Sequence, residues 1–243
     1  MIAAIRGNEA GTQGVAPDTL VLVMPIRAVP SGDERDKDVA NAIRYAVDNG
    51  ASVVNMSFGK SYSPGKAAVN EAVRYAAERG VLLVHAAGNS AEDLDTAANF
   101  PSPVLAEGER APNWIEVGAT DWDATTFAAV FSNYGAASVD VFAPGAAIDV
   151  LEPGDAVDRA DGTSVAAPVV SGIAALLLAY FPELTPLDVR EILLESAAPY
   201  DGTLALRPGT SERVDFGELS ITGGVVNAAR AVELALQRTG RTN

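Results

Sequence analysis

The stretch DGTSVAAPVVSG, residues 161–172, places a serine, Ser164, at the head of a long apolar segment. A helix that begins near Thr163 would direct its unpaired backbone N–H groups and the positive end of its dipole toward whatever Ser164 contacts. That position suits a nucleophile whose reaction develops a negatively charged oxygen. The same spacing also fits a serine that only caps a buried helix, so both interpretations remain open on this stretch alone.

Outward from this segment, strand and helix patterns alternate along the chain. Mostly apolar runs predict strands at residues 19–29, 52–58, 81–88, 114–120 and 139–145. Apolar residues at helical spacing predict helices over 37–50 and 66–80, each ended by a glycine. This order predicts an α/β fold with a mostly parallel sheet between helices, formed by one domain over residues 1–243.

The part of the chain after Ser164 is expected to be mainly helical. In TPLDVREILLESA, Thr185 is placed as a cap, Pro186 at the first helical position and Asp188 three residues after the cap. NAARAVELALQR predicts a last helix. Residues 89–113 and 198–224 are rich in Pro, Gly, Asp and Asn and are predicted to be irregular.

Composition excludes several classes of function. The net charge of −15 repels phosphate backbones and anionic lipid, so neither nucleic acid nor a membrane is an expected partner. The absence of cysteine excludes disulfides and thiolate metal sites. Residues 162–182 carry no charge, but their glycines and proline and the lack of flanking Lys or Arg favour a buried helix over a membrane span. No signal peptide is visible in the first residues.

Two further segments carry candidate site residues at predicted strand ends, where open parallel sheets place their sites. In HAAGNS (85–90), Asn89 has a side-chain amide that suits donation to an oxyanion, although a turn asparagine after Gly88 is the favoured interpretation of this stretch taken alone. In NMSFG (55–59), the edge Ser57-Phe58-Gly59 could pair with an extended peptide, or it could be an ordinary exit from a strand.

Taken together and in this order, NMSFG, HAAGN, FSNYG with VDVFAPG, and GTSVAAP resemble the subtilisin-like (S8) serine peptidases. The resemblance implies the three-layer subtilisin-like fold and hydrolysis of a polypeptide substrate through an acyl-enzyme at Ser164. It implies that Asn89 is the oxyanion donor, together with the backbone N–H of Ser164. It also implies that Ser57-Phe58-Gly59 and Ala86-Ala87-Gly88 border the substrate cleft.

The sequence departs from the family pattern at the catalytic base. His85 is the only histidine and occupies a strand position four residues before Asn89, so we expect it to be structural. The family's aspartate and histidine motifs would fall before Met1, and MIAAIR resembles the tail of a helix that begins upstream. We therefore expect an N-terminally truncated peptidase domain that is inactive in isolation.

Other functions are weighed against this hypothesis. A catalytically dead subtilase fold that binds peptides or a partner is the main alternative, and a nucleotide-binding domain ranks low because GxGxxG and P-loop motifs are missing. The acidic run SGDERDKD (31–38) raises calcium binding, which many family members show, but a solvated charge run is favoured. No metal or cofactor is assigned. The resemblance suggests a secreted or periplasmic protein, and nothing indicates its oligomeric state.

Overall fold

The computed structural model describes residues 1–7, 11–17, 21–26, 34–105, 108–123, 126–152, 154 and 156–241. The helices of this part of the chain are α1 (Asp36–Asp48), α2 (Lys66–Glu78), α3 (Thr163–Tyr180), α4 (Pro186–Glu195) and α5 (Ala228–Thr239). Its strands are β1 (Val53–Met56), β2 (Leu82–Ala86), β3 (Trp114–Thr120), β4 (Val141–Pro144), β5 (Ile148–Glu152), β6 (Ala156–Ala160), β7 (Ala198–Pro199), β8 (Leu204–Leu206), β9 (Arg213–Asp215) and β10 (Gly224–Val225).

A six-stranded sheet in the order β1-β2-β3-β4-β10-β7 forms the centre of the fold. Its strands are parallel except for β7, which runs antiparallel to β10. The two remaining strand pairs, β5–β6 and β8–β9, are separate antiparallel hairpins. The mostly parallel α/β sheet predicted from the sequence is therefore confirmed.

Helices cover both faces of the sheet and make three layers. Leu82 and Val84 of β2 pack in one cluster with α3, α4 and α5, whereas Leu83 packs in another with α1 and α2. Because successive side chains of a strand point to opposite faces, these two clusters lie on opposite sides of the sheet. The side chain of His85 is directed to the same face as Leu83, away from α3.

Helix α3 is the uncharged segment that raised the question of a membrane span. By length and composition it is able to cross a membrane, and 56% of it is buried inside the protein. Its residues pack against β2, β3 and β4 in the largest cluster, in agreement with the predicted buried helix.

The sequence predictions for the start of α4 and for residues 198–224 had different outcomes. Thr185 caps α4 in a full capping box with Asp188, and Pro186 is the first helical residue, as predicted. Residues 198–224, predicted to be irregular, instead contain β7 to β10 and a 3-10 helix at Phe216–Leu219. Pairing of β7 with β10 and of β8 with β9 stabilises these short strands, and composition does not register such pairing.

Two predictions for the first thirty residues are wrong. Residues 1–7 are not helical; Met1 O and Ile2 O accept hydrogen bonds from the N–H groups of Val15 and Ala16. A turn and a half of helix is too short to persist alone, so strand-like pairing is favoured. The strand predicted at 19–29 is not formed over residues 21–26, where Leu22 is 92% exposed. Its other residues, 19–20 and 27–29, lie outside the described residues.

Candidate active site

Ser164 lies in the first turn of α3, and its carbonyl is bonded in an unusual way. Pro168, four residues later, has no N–H and therefore cannot bond the Ser164 carbonyl as a helix would require. The Ser57 hydroxyl takes that place and donates to Ser164 O at 2.8 Å. The nucleophile candidate is thus tied directly to the chain that leaves β1.

Behind Ser57 the hydrogen bonds continue into the core. Asn55 Nδ2 donates to Ser57 Oγ at 2.8 Å, and Ser171 Oγ donates to Asn55 Oδ1 at 2.9 Å. Ser171 lies two turns further along α3, so the relay joins that helix to β1 at two points. The arrangement fixes the start of α3 relative to the cleft edge at Ser57.

Asn89 is oriented by Thr163, a residue that the sequence reasoning did not assign to the site. Both the backbone N–H and the hydroxyl of Thr163 donate to Asn89 Oδ1, each at 2.9 Å. The same hydroxyl accepts from the N–H of Gly88 at 3.0 Å. With its oxygen held in this way, the amide nitrogen of Asn89 has no partner among the described residues and remains available as a donor.

The space beside Gly162 is where these groups converge. Gly162 has φ +145° and ψ 157°, a conformation essentially reserved for glycine. A Cβ there would lie 2.8 Å from Ser164 Oγ, 3.2 Å from Asn89 Nδ2 and 3.6 Å from Ser164 N. Within the described residues neither Ser164 Oγ nor Ser164 N has a hydrogen-bond partner. A nucleophilic oxygen and two N–H donors therefore border one small open space, which suits stabilisation of an oxyanion.

A cleft of about 320 Å³ opens from this space. Its lining includes seven of the predicted site residues: Ser57, Phe58, Gly59, Ala86, Gly88, Asn89 and Ser164. Ala87, the eighth, does not line it. Ala87 is buried in the cluster that contains Phe142 and Phe216, and its carbonyl accepts from Asn99 and Asn133.

Asn99 is a further cleft residue that sequence reasoning missed. Its amide nitrogen donates to Ala86 O at 3.2 Å and to Ala87 O at 2.9 Å. On its other side the carboxamide lies against Gly59, where a Cβ would collide with it. Asn99 therefore occupies the space between the two predicted edges of the cleft. It comes from a segment predicted only to be irregular, which offered no signal for this role.

His85 lies away from Ser164, as the sequence predicted. Its side chain is fully buried on the α1–α2 face of the sheet. Nδ1 is 2.9 Å from Glu116 Oε1 and Nε2 is 2.8 Å from the carbonyl oxygen of Phe58. Both ring nitrogens are thus engaged, and neither is directed at Ser164.

Two buried carboxylates outside the cleft lining are held by cations. Burial by itself would raise the pKa of Asp36, but hydrogen bonds from Lys60, Ser63 and the N–H of Gly65 hold that pKa below its ordinary value. Burial raises the pKa of Asp140, and Arg110 opposes that rise. Asp36 anchors the segment that follows Gly59, so it supports the cleft from outside.

The sequence assigns no metal ion to this protein, and that assignment stays a prediction. Among the described residues there is no group of three or more His, Cys, Asp or Glu side chains that could hold an ion. Part of the acidic run that raised calcium binding, residues 31–33, lies outside those residues.

The sequence is similar to known peptidases over most of its length. The model of the Subtilase family matches residues 1–223. Alkaline elastase YaB of Bacillus sp. (strain YaB) is 34% identical over 208 residues, which are 86% of this chain and 50% of the relative. Thermitase of Thermoactinomyces vulgaris is 37% identical over 175 residues, 72% of this chain and 57% of the relative. The chain thus spans about half the length of the curated relatives it matches.

Solved structures give the same result. The self-cleaved protease domain of PatA superposes with a TM-score of 0.71 at 29% identity, covering 98% of this chain and 80% of that one. A protease from Pseudoalteromonas arctica superposes with a TM-score of 0.73 at 27% identity, covering 96% of this chain and 68% of that one. With the GTSVAAP helix start, the oriented asparagine and the three-layer fold in place, the chain belongs to the subtilase family of serine peptidases.

Proposed function

We propose that this chain carries the nucleophile and the oxyanion site of a subtilisin-type serine endopeptidase. Ser164 Oγ attacks the carbonyl carbon of a peptide bond, the amine leaves, and water then hydrolyses the acyl-enzyme. Asn89 Nδ2 and the backbone N–H of Ser164 stabilise the negative oxygen of both tetrahedral intermediates. The observation that carries the proposal is the convergence of these three groups on the open side of Gly162.

The substrate is proposed to be an extended polypeptide lying in the 320 Å³ cleft. Ser57 bonds the carbonyl of Ser164, so the edge Ser57-Phe58-Gly59 begins directly beside the nucleophile. A peptide paired along this edge would present its scissile carbonyl at Ser164 and its preceding residues toward Gly59. The proposed reaction uses protein groups and water, so no cofactor is assigned.

The proton acceptor for Ser164 is proposed to come from polypeptide outside these 243 residues. His85 is the only histidine, and both its nitrogens are engaged on the other face of the sheet. In subtilisin itself, loss of the histidine lowers kcat about 2 × 10⁶-fold, a value measured on that enzyme. The chain alone should therefore be almost inert toward peptides.

The test compares the 243-residue chain with an extended protein, in which upstream coding sequence supplies the aspartate and histidine motifs. The extended protein should cleave casein, and Ser164→Ala should abolish that cleavage. A fluorophosphonate probe should label Ser164 in the extended protein and leave the 243-residue chain essentially unlabelled. Rapid labelling of the shorter chain, lost in Ser164→Ala, would show that another group acts as the base.

The same comparison distinguishes an endopeptidase from the alternative, a protein that only binds peptides. A catalytically dead fold would bind peptides in the cleft, and neither form would cleave casein or react with the probe. An extended, folded protein that binds an unstructured peptide but shows no turnover would replace the endopeptidase proposal with peptide binding.

A further inference from the structure

A group of buried polar side chains lies behind the cleft, on the face of the sheet opposite α3. His85 and Glu116 sit opposite each other on β2 and β3, and their side chains are 0% and 2% exposed. Glu116 Oε1 is 2.9 Å from His85 Nδ1, and Glu116 Oε2 accepts from the indole N–H of Trp114 at 2.7 Å. On its far side, the backbone N–H of Glu116 donates to Asp140, which Arg110 also contacts.

The hydrogen bonds of His85 and Glu116 determine how many protons this pair must hold. The carbonyl oxygen of Phe58 can only accept, so the 2.8 Å contact requires a hydrogen on His85 Nε2. The contact between Nδ1 and Oε1 then requires a second hydrogen, held by either the ring or the carboxyl group. The pair is neutral overall in both cases, which is the charge state that burial favours.

The bond from His85 acts on the edge of the substrate cleft. The carbonyl of Ser52 accepts from the N–H of Leu82, so the even-numbered residues of β1 direct their backbone groups toward β2. Continued along the chain, this alternation directs the Phe58 carbonyl toward β2, where His85 Nε2 meets it. The backbone groups of Ser57 and Gly59 are directed the other way, and within the described residues they have no hydrogen-bond partner.

His85 meets the Phe58 carbonyl just beyond the point where the direct pairing of β1 with β2 ends. The next ladder bond would join the Phe58 N–H to Ala86 O, but that oxygen accepts from the side chain of Asn99 instead. Beyond Gly59, Lys60 exchanges two backbone hydrogen bonds with Phe100. Between the end of β1 and that pair, the described bond to the Phe58 peptide group comes from His85.

We propose that His85 is a positioning residue: its Nε2–H fixes the Phe58 carbonyl and so directs the backbone of Ser57 and Gly59 at the substrate chain. Glu116 and Trp114 hold the ring and its protons in the orientation that this bond needs. The inference rests on the proposed peptidase function and adds to it a dependence of kcat/KM on the length of the substrate peptide. Gly59 lies two residues, about 6.6 Å, beyond Ser57, so it serves substrate residues further from the scissile bond.

The first experiment needs no catalytic activity. Because His85 is the only histidine, ¹⁵N-histidine labelling of the 243-residue chain gives the signals of a single ring. We expect a slowly exchanging hydrogen on Nε2, because the ring is fully buried and bonded to the Phe58 carbonyl. An Nε2 without a hydrogen, or one whose hydrogen exchanges as fast as that of free histidine, would overturn the proposal.

The second experiment uses two matched variants of the extended protein. In His85→Gln the amide reaches the position of Nε2 and can still donate to Phe58 O, whereas in His85→Asn it reaches only the position of Nδ1. Each is assayed on two peptides with the same scissile bond. One peptide ends at the residue opposite Ser57, and the other is two residues longer and reaches Gly59.

We expect the longer peptide to have a kcat/KM about tenfold higher in the wild type, the effect of the added backbone hydrogen bonds. His85→Asn should lose most of that gain while the short peptide changes little, and His85→Gln should keep it. An equal loss on both peptides in both variants would indicate a merely structural residue and reject the proposal. If the wild type cleaves neither peptide, the peptidase function fails, while the ¹⁵N result still decides whether His85 holds Phe58.

Discussion

Replacing Thr163 with valine should loosen Asn89 without altering the shape of the site. The two side chains have nearly the same volume, but valine lacks the hydroxyl that donates to Asn89 Oδ1 at 2.9 Å and accepts from the Gly88 N–H at 3.0 Å. Thr163 is 1% exposed, so water cannot replace either bond. Two lost hydrogen bonds at about 1 kcal/mol each, with the stranded Gly88 N–H, give a destabilisation of about 2 to 3 kcal/mol.

Catalysis should also suffer, because Asn89 would keep only its bond to the backbone N–H of Thr163. Complete removal of such a donor costs about 10² to 10³ in kcat in subtilisin, a figure taken from that enzyme, so partial release should cost about tenfold. Urea unfolding of the extended protein should show a midpoint lowered by about 1 M at an unchanged slope. Thr163→Ser, which keeps the hydroxyl, is the control. A valine variant with wild-type stability and kcat would refute this account of how Asn89 is held.

Three further outcomes are expected in the extended protein. Gly162→Ala should abolish measurable turnover, because a Cβ there would lie 2.8 Å from Ser164 Oγ; normal kinetics would mean that the oxyanion site is elsewhere. Ser57→Ala should cost about 1 to 2 kcal/mol in urea unfolding, because it leaves the Ser164 carbonyl without the partner that replaces the proline-interrupted helix bond; Ser57→Thr is the control. Asp36 has a folded-state pKa below its ordinary value, so its stabilising contribution is present above about pH 4 and is lost as pH falls through the folded-state pKa. The stability difference between wild type and Asp36→Asn should therefore shrink in acid, and a difference independent of pH would contradict the ionised role of Asp36.

Several elements were predictable from the sequence because their determinants are local. Helix α2 follows from apolar residues at helical spacing, β3 from a short apolar run, and the start of α4 from Thr185, Pro186 and Asp188. The positions of Ser164 and Asn89 in one site followed from motif resemblance, which carries long-range information that periodicity lacks. The structural place of His85 was also predictable, because it lies within an apolar strand and not at the start of a helix.

Tertiary structure alone decided the remaining features, because each depends on partners distant in sequence. The bond from Ser57 to the Ser164 carbonyl joins residues 107 positions apart, and Pro168 explains it only once β1 and α3 are adjacent. Asn99 enters the cleft through an irregular segment whose composition specifies no direction. The apolar residues 21–26 form no strand, because a strand requires a hydrogen-bonded neighbour as well as a suitable sequence. The predicted motifs become a site only in the folded chain. Burial there leaves some hydrogen-bonding groups without their usual partner, and residues distant in sequence bond to them.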